Sequence, residues 1–181
     1  DGKTLPLPEA TAAVGYVKTT IDNPKASEIS FAKTSDGASW GAVYGQSLQP
    51  IAAVKSANAG IRVERTIDTA GKSLRVGDKV KVTITIVADR DYDFVQLCDK
   101  RAACLEPVSQ LSGYRNGYYL APQDNCTNYF FDRLSKGKHV VETEYFIDRP
   151  GSYLSGVCTA ECAYSPEFSG RAEAVQIVVN E

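Results

Sequence analysis

The nine residues VKVTITIVA, Val80 to Ala88, leave little choice of local structure. Val80, Val82, Ile84, Ile86 and Ala88 recur at every second position, and Lys81, Thr83 and Thr85 fall between them. A strand sends alternate side chains to opposite faces, whereas a helix would scatter these β-branched residues around its circumference. The segment therefore predicts a strand with one face in a core and the other in water. A chain built from many such segments folds as sheet packed on sheet.

The same period recurs along the chain. In HVVETEYFID the face Val141, Thr143, Tyr145, Ile147 opposes Val140, Glu142, Glu144, Phe146, Asp148, and DRPG supplies turn residues before GSYLSGVCTAECAY, which predicts a hairpin. Further strands are expected at Ile61 to Thr66, Phe94 to Cys98, Tyr129 to Leu134 and Ala174 to Val179. With the CTAEC segment this makes about seven strands between turn signals, so the fold class is all-β, an antiparallel β-sandwich. The segment from Asp99 to Thr127 is the main interruption. Structureless loops of that length are uncommon in compact domains, which predicts a packed excursion with its own aromatic plug.

The first 57 residues have a thinner pattern. ISFAK, Ile29 to Lys33, and WGAVYGQ, Trp40 to Gln46, predict a hairpin around TSDGAS, with a third strand at Ala10 to Lys18. Three strands give little independent core. Residues 1–57 are therefore expected as an N-terminal β segment that docks on a sandwich of residues 58–181 or completes another domain. The weak point between them is KSANAG, Lys55 to Gly60.

Composition removes several function classes. A chain of 181 residues buries a core without help from metals. Charges nearly balance, 20 Lys and Arg against 22 Asp and Glu, with no basic block of the kind that binds nucleic acid. No apolar run approaches the roughly 20 residues that span a bilayer, so no membrane contact is expected of this segment. DGKTLPLPEAT has neither the basic start nor the apolar middle of a signal peptide. The chain has no Met, so Asp1 is no initiator, which is the expectation for a processed chain or, preferably, for a domain excised from a longer one.

Candidate chemical groups are few, and neither a cofactor nor a metal site is expected. His139 is the sole histidine, at the end of the turn SKGKH, and no nucleophile or acid is brought to it by sequence. A hydrolase based on Cys104 would need a general base that His139 is poorly placed to supply. ADRDYDF sets Asp89, Asp91 and Asp93 at alternate positions, but a calcium loop needs Gly at its sixth position and Glu at its twelfth, where Phe94 and Lys100 stand. A solvated acidic face is the simpler reading. Tyr114, Tyr118, Tyr119, Tyr129, Phe130 and Phe131 suit a core plug under the excursion. The first three, Tyr114, Tyr118 and Tyr119, are the possible interaction aromatics. Asn125-Cys126-Thr127 matches a glycosylation sequon, which has meaning only on a eukaryotic secretory route.

The cysteines constrain more. Cys158 and Cys162 lie four apart on one strand face, about 13 Å at strand rise, beyond the Cα separation of about 7 Å that a disulfide tolerates. They cannot pair with each other. If both are oxidised, each reaches one of Cys98, Cys104 or Cys126. Val95 and Leu97 take the apolar face of their strand, which leaves Cys98 outward as the candidate free thiol. The disulfide candidates are then Cys104, Cys126, Cys158 and Cys162, and the alternative is a set of buried thiols. No zinc spacing is present.

RAACLEPV, Arg101 to Val108, approaches the Cys-x-Glu-Gln motif of internal thioesters, in which a glutamine carboxamide acylates the cysteine. Residue 107 is proline, so this segment cannot form that bond by that motif. The series SWGAVYGQ, VGDKVKVTITI, DYDFVQLCDKRAACLEPVSQLSGY, TNYFFDRLSKGKHVVETEYFIDRPGSY and CAYSPEFSGR nevertheless resembles the C-terminal region of bacterial α2-macroglobulin-like proteins, over about Ile29 to Val179. The resemblance implies a large extracytoplasmic parent, in the periplasm or at the cell surface and open to lipid anchoring. Such a parent traps proteases after cleavage of a bait region, with a thioester available to couple to the attacker. It implies that residues 58–181 are the last macroglobulin-like domain, equivalent to the receptor-binding domain of the animal proteins. Residues 1–57 would be the tail of a CUB-like domain. On this expectation the chain is not an enzyme. Its partners are the thioester domain and neighbouring macroglobulin-like domains, with target proteases engaged only indirectly. The alternative is a stand-alone surface β-sandwich that binds glycan or protein through the aromatic excursion.

Overall fold

The computed structural model of the chain describes residues 4–6, 15, 17–22, 24–25, 28–68, 71 and 73–181. The chain divides into two units, Asp1–Gly45 and Gln46–Glu181. In the second, a 3-10 turn at Ile51–Ala53 precedes the strands β1 (Ala57–Ala59), β2 (Ile61–Asp68), β3 (Leu74–Arg75), β4 (Lys79–Ala88), β5 (Tyr92–Lys100), β6 (Leu105–Pro107) and β7 (Gly113–Arg115). They are followed by β8 (Tyr118–Pro122), β9 (Cys126–Leu134), β10 (Gly137–Ile147), β11 (Gly151–Leu154), β12 (Cys158–Cys162), β13 (Ser165–Ala172) and β14 (Gln176–Asn180).

These strands form a seven-stranded sheet in the order β1-β13-β12-β5-β9-β8-β7, a four-stranded sheet β2-β4-β10-β6 and a three-stranded sheet β11-β14-β3. Pairing between named strands is antiparallel except where β14 meets β3. The all-β sandwich expected from alternation is the observed architecture. Val80, Val82, Ile84, Ile86 and Ala88 of β4 are all buried, each contributing about 1.5–3 kcal/mol for a Val or Ile side chain relative to exposure. They share one core with Val95 and Leu97 of β5 and with Tyr129 and Phe131 of β9.

Polar side chains also bridge the two larger sheets. Thr127 on β9 and Tyr145 on β10 share a hydroxyl hydrogen bond of 2.8 Å, and Tyr129 and Thr143 share another of 2.5 Å. Both tyrosine rings are fully buried, so these bonds satisfy hydroxyls that would otherwise be stranded in the core. At one corner β13 comes close to β2. A Cβ on Gly170 would collide with the carbonyl of Ile61, so glycine is required there for contact rather than for backbone freedom.

Several local expectations change. DRPG does not close a hairpin: β10 pairs with β4 and β6, while β11 pairs with β14 in another sheet. Turn residues mark a change of direction but not the partner that follows it. ISFAK and WGAVYGQ form no strands, and Phe31, Trp40 and Tyr44 are 77%, 97% and 91% exposed. A lone hairpin needs a third strand or a packing surface to hold its apolar face. The strand expected at Ala10 to Lys18 lies for the most part outside the described residues. KSANAG is no free linker, since Ala57–Ala59 pairs with β13 and Glu173 accepts hydrogen bonds from Lys55 Nζ and Ser56 N. The excursion after β5 does fold back on itself, through β6 and the β7–β8 hairpin, before returning as β9.

Gly170→Ala tests the close corner. The added methyl group meets backbone, which cannot rotate away, so a loss of about 1–3 kcal/mol in urea unfolding is expected. A midpoint equal to that of the wild type would mean that β13 can move off β2.

Candidate functional site

The interior of the sandwich contains one strongly charged site. On β2 the buried positions are Ile61, Val63 and Arg65, so alternation drives an arginine into the core. On β5 it does the same to Asp99, which follows Val95 and Leu97. Arg65 Nη1 donates to Asp99 Oδ1 at 2.6 Å, with both side chains 2% exposed. Arg65 Nη2 donates to Ser155 Oγ at 2.6 Å and to the carbonyls of Gly156 and Glu173, each at 2.8 Å. Arg65 Nε has no partner. Burial pushes the Asp99 carboxyl above its ordinary value, and the Arg65 guanidinium pulls against that. Both terminal nitrogens of the guanidinium are engaged by the chain itself, so the cluster is structural.

The outer surface carries a different feature. Between the pairs Asp93↔Arg133 and Val95↔Phe131, Phe94 has no partner on β9. Its φ is 55°, the only positive value among the described non-glycine residues. A bulky residue in that region costs about 1–3 kcal/mol and persists only where the surroundings enforce it. Here Ala163 N donates to Phe94 O at 2.9 Å, tying this break in the ladder to the turn between β12 and β13. In that turn stands Tyr164, whose ring meets Phe94 edge to face at 5.4 Å. Phe94 is 52% and Tyr164 82% exposed. Two rings in mutual contact, with a fixed backbone beneath and solvent above, offer apolar area and a hydroxyl to a protein partner.

The excursion tyrosines divide. Tyr118 packs on Tyr129 and Phe131 with centroids at 5.6 and 5.4 Å, which makes it the expected plug. Tyr114 is largely exposed and meets Tyr119 edge to face at 76°. Such an edge-on pair offers no flat platform for a sugar ring.

The remaining candidates have structural partners. His139 Nε2 lies 2.7 Å from the carbonyl of Ser135. Asp89 accepts from Arg90 and from the hydroxyl of Tyr92, and Asp91 accepts from Arg133 and from Lys136 N. These contacts hold both carboxyls below their usual range, the Arg90 bond leading at Asp89 and the Lys136 bond at Asp91. Among the described residues no three His, Cys, Asp or Glu side chains converge as metal ligands. In RAACLEPV, Leu105–Pro107 is an ordinary edge strand on β10, and burial pushes the Cys104 thiol up.

All five cysteines carry free thiols. Cys158 and Cys162 share the interior face of β12, as their spacing requires. Burial raises the Cys158 thiol well above its ordinary value, and the neighbouring Asp99 adds to that. Cys98 faces the other side of the sheet. It is not isolated there: burial and the neighbouring Cys126 thiol push it up to about 11. Alternation along one strand assigned the face of Cys98 but could not name what β9 places beside it.

Comparison with known proteins follows this geometry. A family model described as the bacterial alpha-2-macroglobulin MG10 domain matches residues 55–167. The fold is similar to that of Salmonella alpha-2-macroglobulin reacted with methylamine, at 23% identity and a TM-score of 0.63, over 71% of this chain and 10% of that one. It is similar to Escherichia coli alpha-2-macroglobulin activated by porcine elastase, at 21% identity and a TM-score of 0.63, over 71% and 14% of the two chains. It is also similar to native Escherichia coli alpha-2-macroglobulin spanning domain MG7 to the C-terminus, at 20% identity and a TM-score of 0.62, over 73% and 25%. The chain thus spans between a tenth and a quarter of the length of these structures. No curated protein matches it by sequence.

The buried pair gives a direct test. Asp99→Ala leaves Arg65 charged and unpaired, and a loss of about 3–5 kcal/mol is expected in urea unfolding. Arg65→Met combined with Asp99→Leu should cost less than the single changes Arg65→Met and Asp99→Leu added together. Additive losses would show that the two groups are not coupled.

Proposed function

The chain belongs to the bacterial α2-macroglobulin MG10 domain family, and from that premise we propose that it is a non-catalytic packing domain of a protease-trapping parent. Its work is to seat against a thioester domain and shield the reactive bond until the parent is cleaved. Residues 58–181 form the macroglobulin-like domain, and the residues ahead of it, 1–57, are the end of a CUB-like domain. The parent acts outside the cytoplasm. Neighbouring macroglobulin-like domains are the other contacts, and proteases are met only through the whole molecule.

One observation supports this reading above the others. The Phe94–Tyr164 pair is exposed while the backbone of Phe94 is held in a costly conformation by the turn between β12 and β13. The Phe94 ring is half exposed and meets Tyr164 edge to face. Burial against a partner gives the pair a use, because shielding is a task of shape and dry contact that needs no reacting group. The family setting supplies a partner: the Salmonella relative is described as reacted with methylamine and the Escherichia coli relative as activated by elastase.

The test uses the full-length parent. It should carry Cys-x-Glu-Gln ahead of this segment and consume methylamine slowly. Phe94→Ala and Tyr164→Ala should each speed that uptake by about tenfold or more, since truncating a central buried aromatic typically costs about 2 kcal/mol or more. In the isolated chain, Phe94→Gly should leave the urea midpoint equal or higher, because glycine relieves the positive φ. A parent without the motif, or variants with unchanged uptake, would overturn the shielding role.

A further inference from the structure

We propose that Cys98 and Cys126 are the two halves of a disulfide that closes the neck of the long excursion. This goes beyond the packing role above and does not depend on it. Cys98 pairs with Asn128 across the antiparallel β5–β9 ladder, and Cys126 pairs with Lys100, two residues further along each strand. Residues two apart share a face, so Cys98, Asn128 and Cys126 all lie on the outer side of the seven-stranded sheet. Cys98 and Cys126 are therefore diagonal neighbours. An undistorted diagonal sets Cα atoms about 7–8 Å apart, just beyond the roughly 4.4–6.8 Å range of disulfides, so the bond needs the strand end to draw in by about 1 Å. The two thiols are near enough for Cys126 to push the Cys98 thiol up. Lys100↔Cys126 is the last pair of the ladder, so the small remaining adjustment falls at a strand end and leaves the rest of the pairing in place.

The surroundings fit a bridge and no other evident chemistry. Asn128 Nδ2 donates to Cys126 Sγ at 3.6 Å, Cys126 Sγ to Gln123 Oε1 at 3.5 Å, and Gln96 Nε2 to Asn128 Oδ1 at 3.1 Å. Neutral amides flank the pair, Lys100 stands opposite Cys126 on the same face, and among the described residues no three His, Cys, Asp or Glu side chains converge there as metal ligands. Cys104, Cys158 and Cys162 are buried elsewhere: Cys158 against Asp99, Cys162 on the interior face of β12, and Cys104 before β6. Cys98 is the most accessible of the five.

The bridge has a mechanical consequence. The chain leaves the sheet just after Cys98 and re-enters it at Cys126, with β6, β7 and β8 between. The same neck is already clamped without a covalent bond. Arg101 donates to the carbonyls of Leu105, Asp124 and Cys126. A disulfide there removes loop entropy from the unfolded chain at the point where the folded chain has already brought the ends together.

The oxidant is a second disulfide, supplied by an oxidoreductase or by a small molecule such as oxidised glutathione. The accessible Cys98, as thiolate, attacks one sulfur of the oxidant, forming a mixed disulfide and releasing one thiol. Cys126, after loss of its proton, then displaces the second thiol. The protein loses two electrons and two protons, and the oxidant becomes two thiols.

The experiment exposes the full chain to oxidised glutathione and then maps tryptic peptides without reduction. Titratable thiols should fall from five to three. The peptide 91–100 should appear linked to the peptide 116–133. Cys98→Ser should keep all four of its remaining thiols, which separates this bridge from any involving Cys104, Cys158 or Cys162. The linked protein should melt roughly 5 °C or more above its reduced form. A bridge to another cysteine, or glutathione adducts without a link, would overturn the assignment. A link that forms without raising the melting temperature would overturn its role as a staple. A parent lacking any thioester leaves these outcomes unchanged, so failure here and failure of the shielding role are distinguishable.

Discussion

A charged group buried inside a β-sandwich has to be justified by what it arranges, because taking it out of water costs several kcal/mol. Arg65 is such a group. From the middle of β2 it reaches Asp99 on β5, the hydroxyl of Ser155 after β11 and the carbonyls of Gly156 and Glu173. Ser155 Oγ in turn accepts from Val175 N, just ahead of β14. One guanidinium therefore sets the spacing of the two large sheets and fixes both segments that carry the chain into and out of the three-stranded sheet. Apolar side chains fill the same space with less penalty, but they accept many alignments. A planar fork of donors with assigned acceptors accepts one.

The hydroxyl pairs repeat this logic at lower cost. Thr127 with Tyr145 and Tyr129 with Thr143 cross from one sheet to the other within the core. Each pair is satisfied only when β9 and β10 stand at one particular offset. Together with Arg65 they hold the sliding of sheet on sheet that a purely apolar interface would leave loose. Gly170 adds a steric limit at the corner where β13 meets the backbone of Ile61.

How much of this was legible in the sequence depends on the range of the interaction. Faces were legible, because alternation is local: β4 buries the five residues its period selects, and Cys158 and Cys162 share the inward face. The position of Arg65 in the Ile61, Val63 series already marked it as an inward charge, a signal open to anyone who follows the period past the last aliphatic residue. Partners were not legible. DRPG reads as a hairpin turn, yet the strands on either side of it lie in different sheets, since nothing local distinguishes a return from a crossing. ISFAK and WGAVYGQ have strand composition but form none, because strand propensity mostly expresses fit to a sheet that must come from elsewhere. The excursion tyrosines were separable only in part. Tyr118 and Tyr114 differ in role by the side of a short strand on which each falls, and β7 and β8 are too short for alternation to set that in advance.

A frame fixed in this way can hold a strained residue at its surface. Phe94 stands in the left-handed region where the β5–β9 pairing is interrupted, and Ala163 donates to its carbonyl from the neighbouring turn. If the sheets could slide or β12 could shift, the strained backbone of Phe94 would relax and the ring would turn away from Tyr164. The interior polar contacts and the exposed pair are therefore parts of one argument. Residues 92–100 of β5 carry Asp99 inward to Arg65, Cys98 outward beside Cys126, and Phe94 at the break in the ladder. One strand thus links the core charge, the neck of the excursion and the aromatic surface. A change that loosens any one of the three should be felt at the others through the backbone they share.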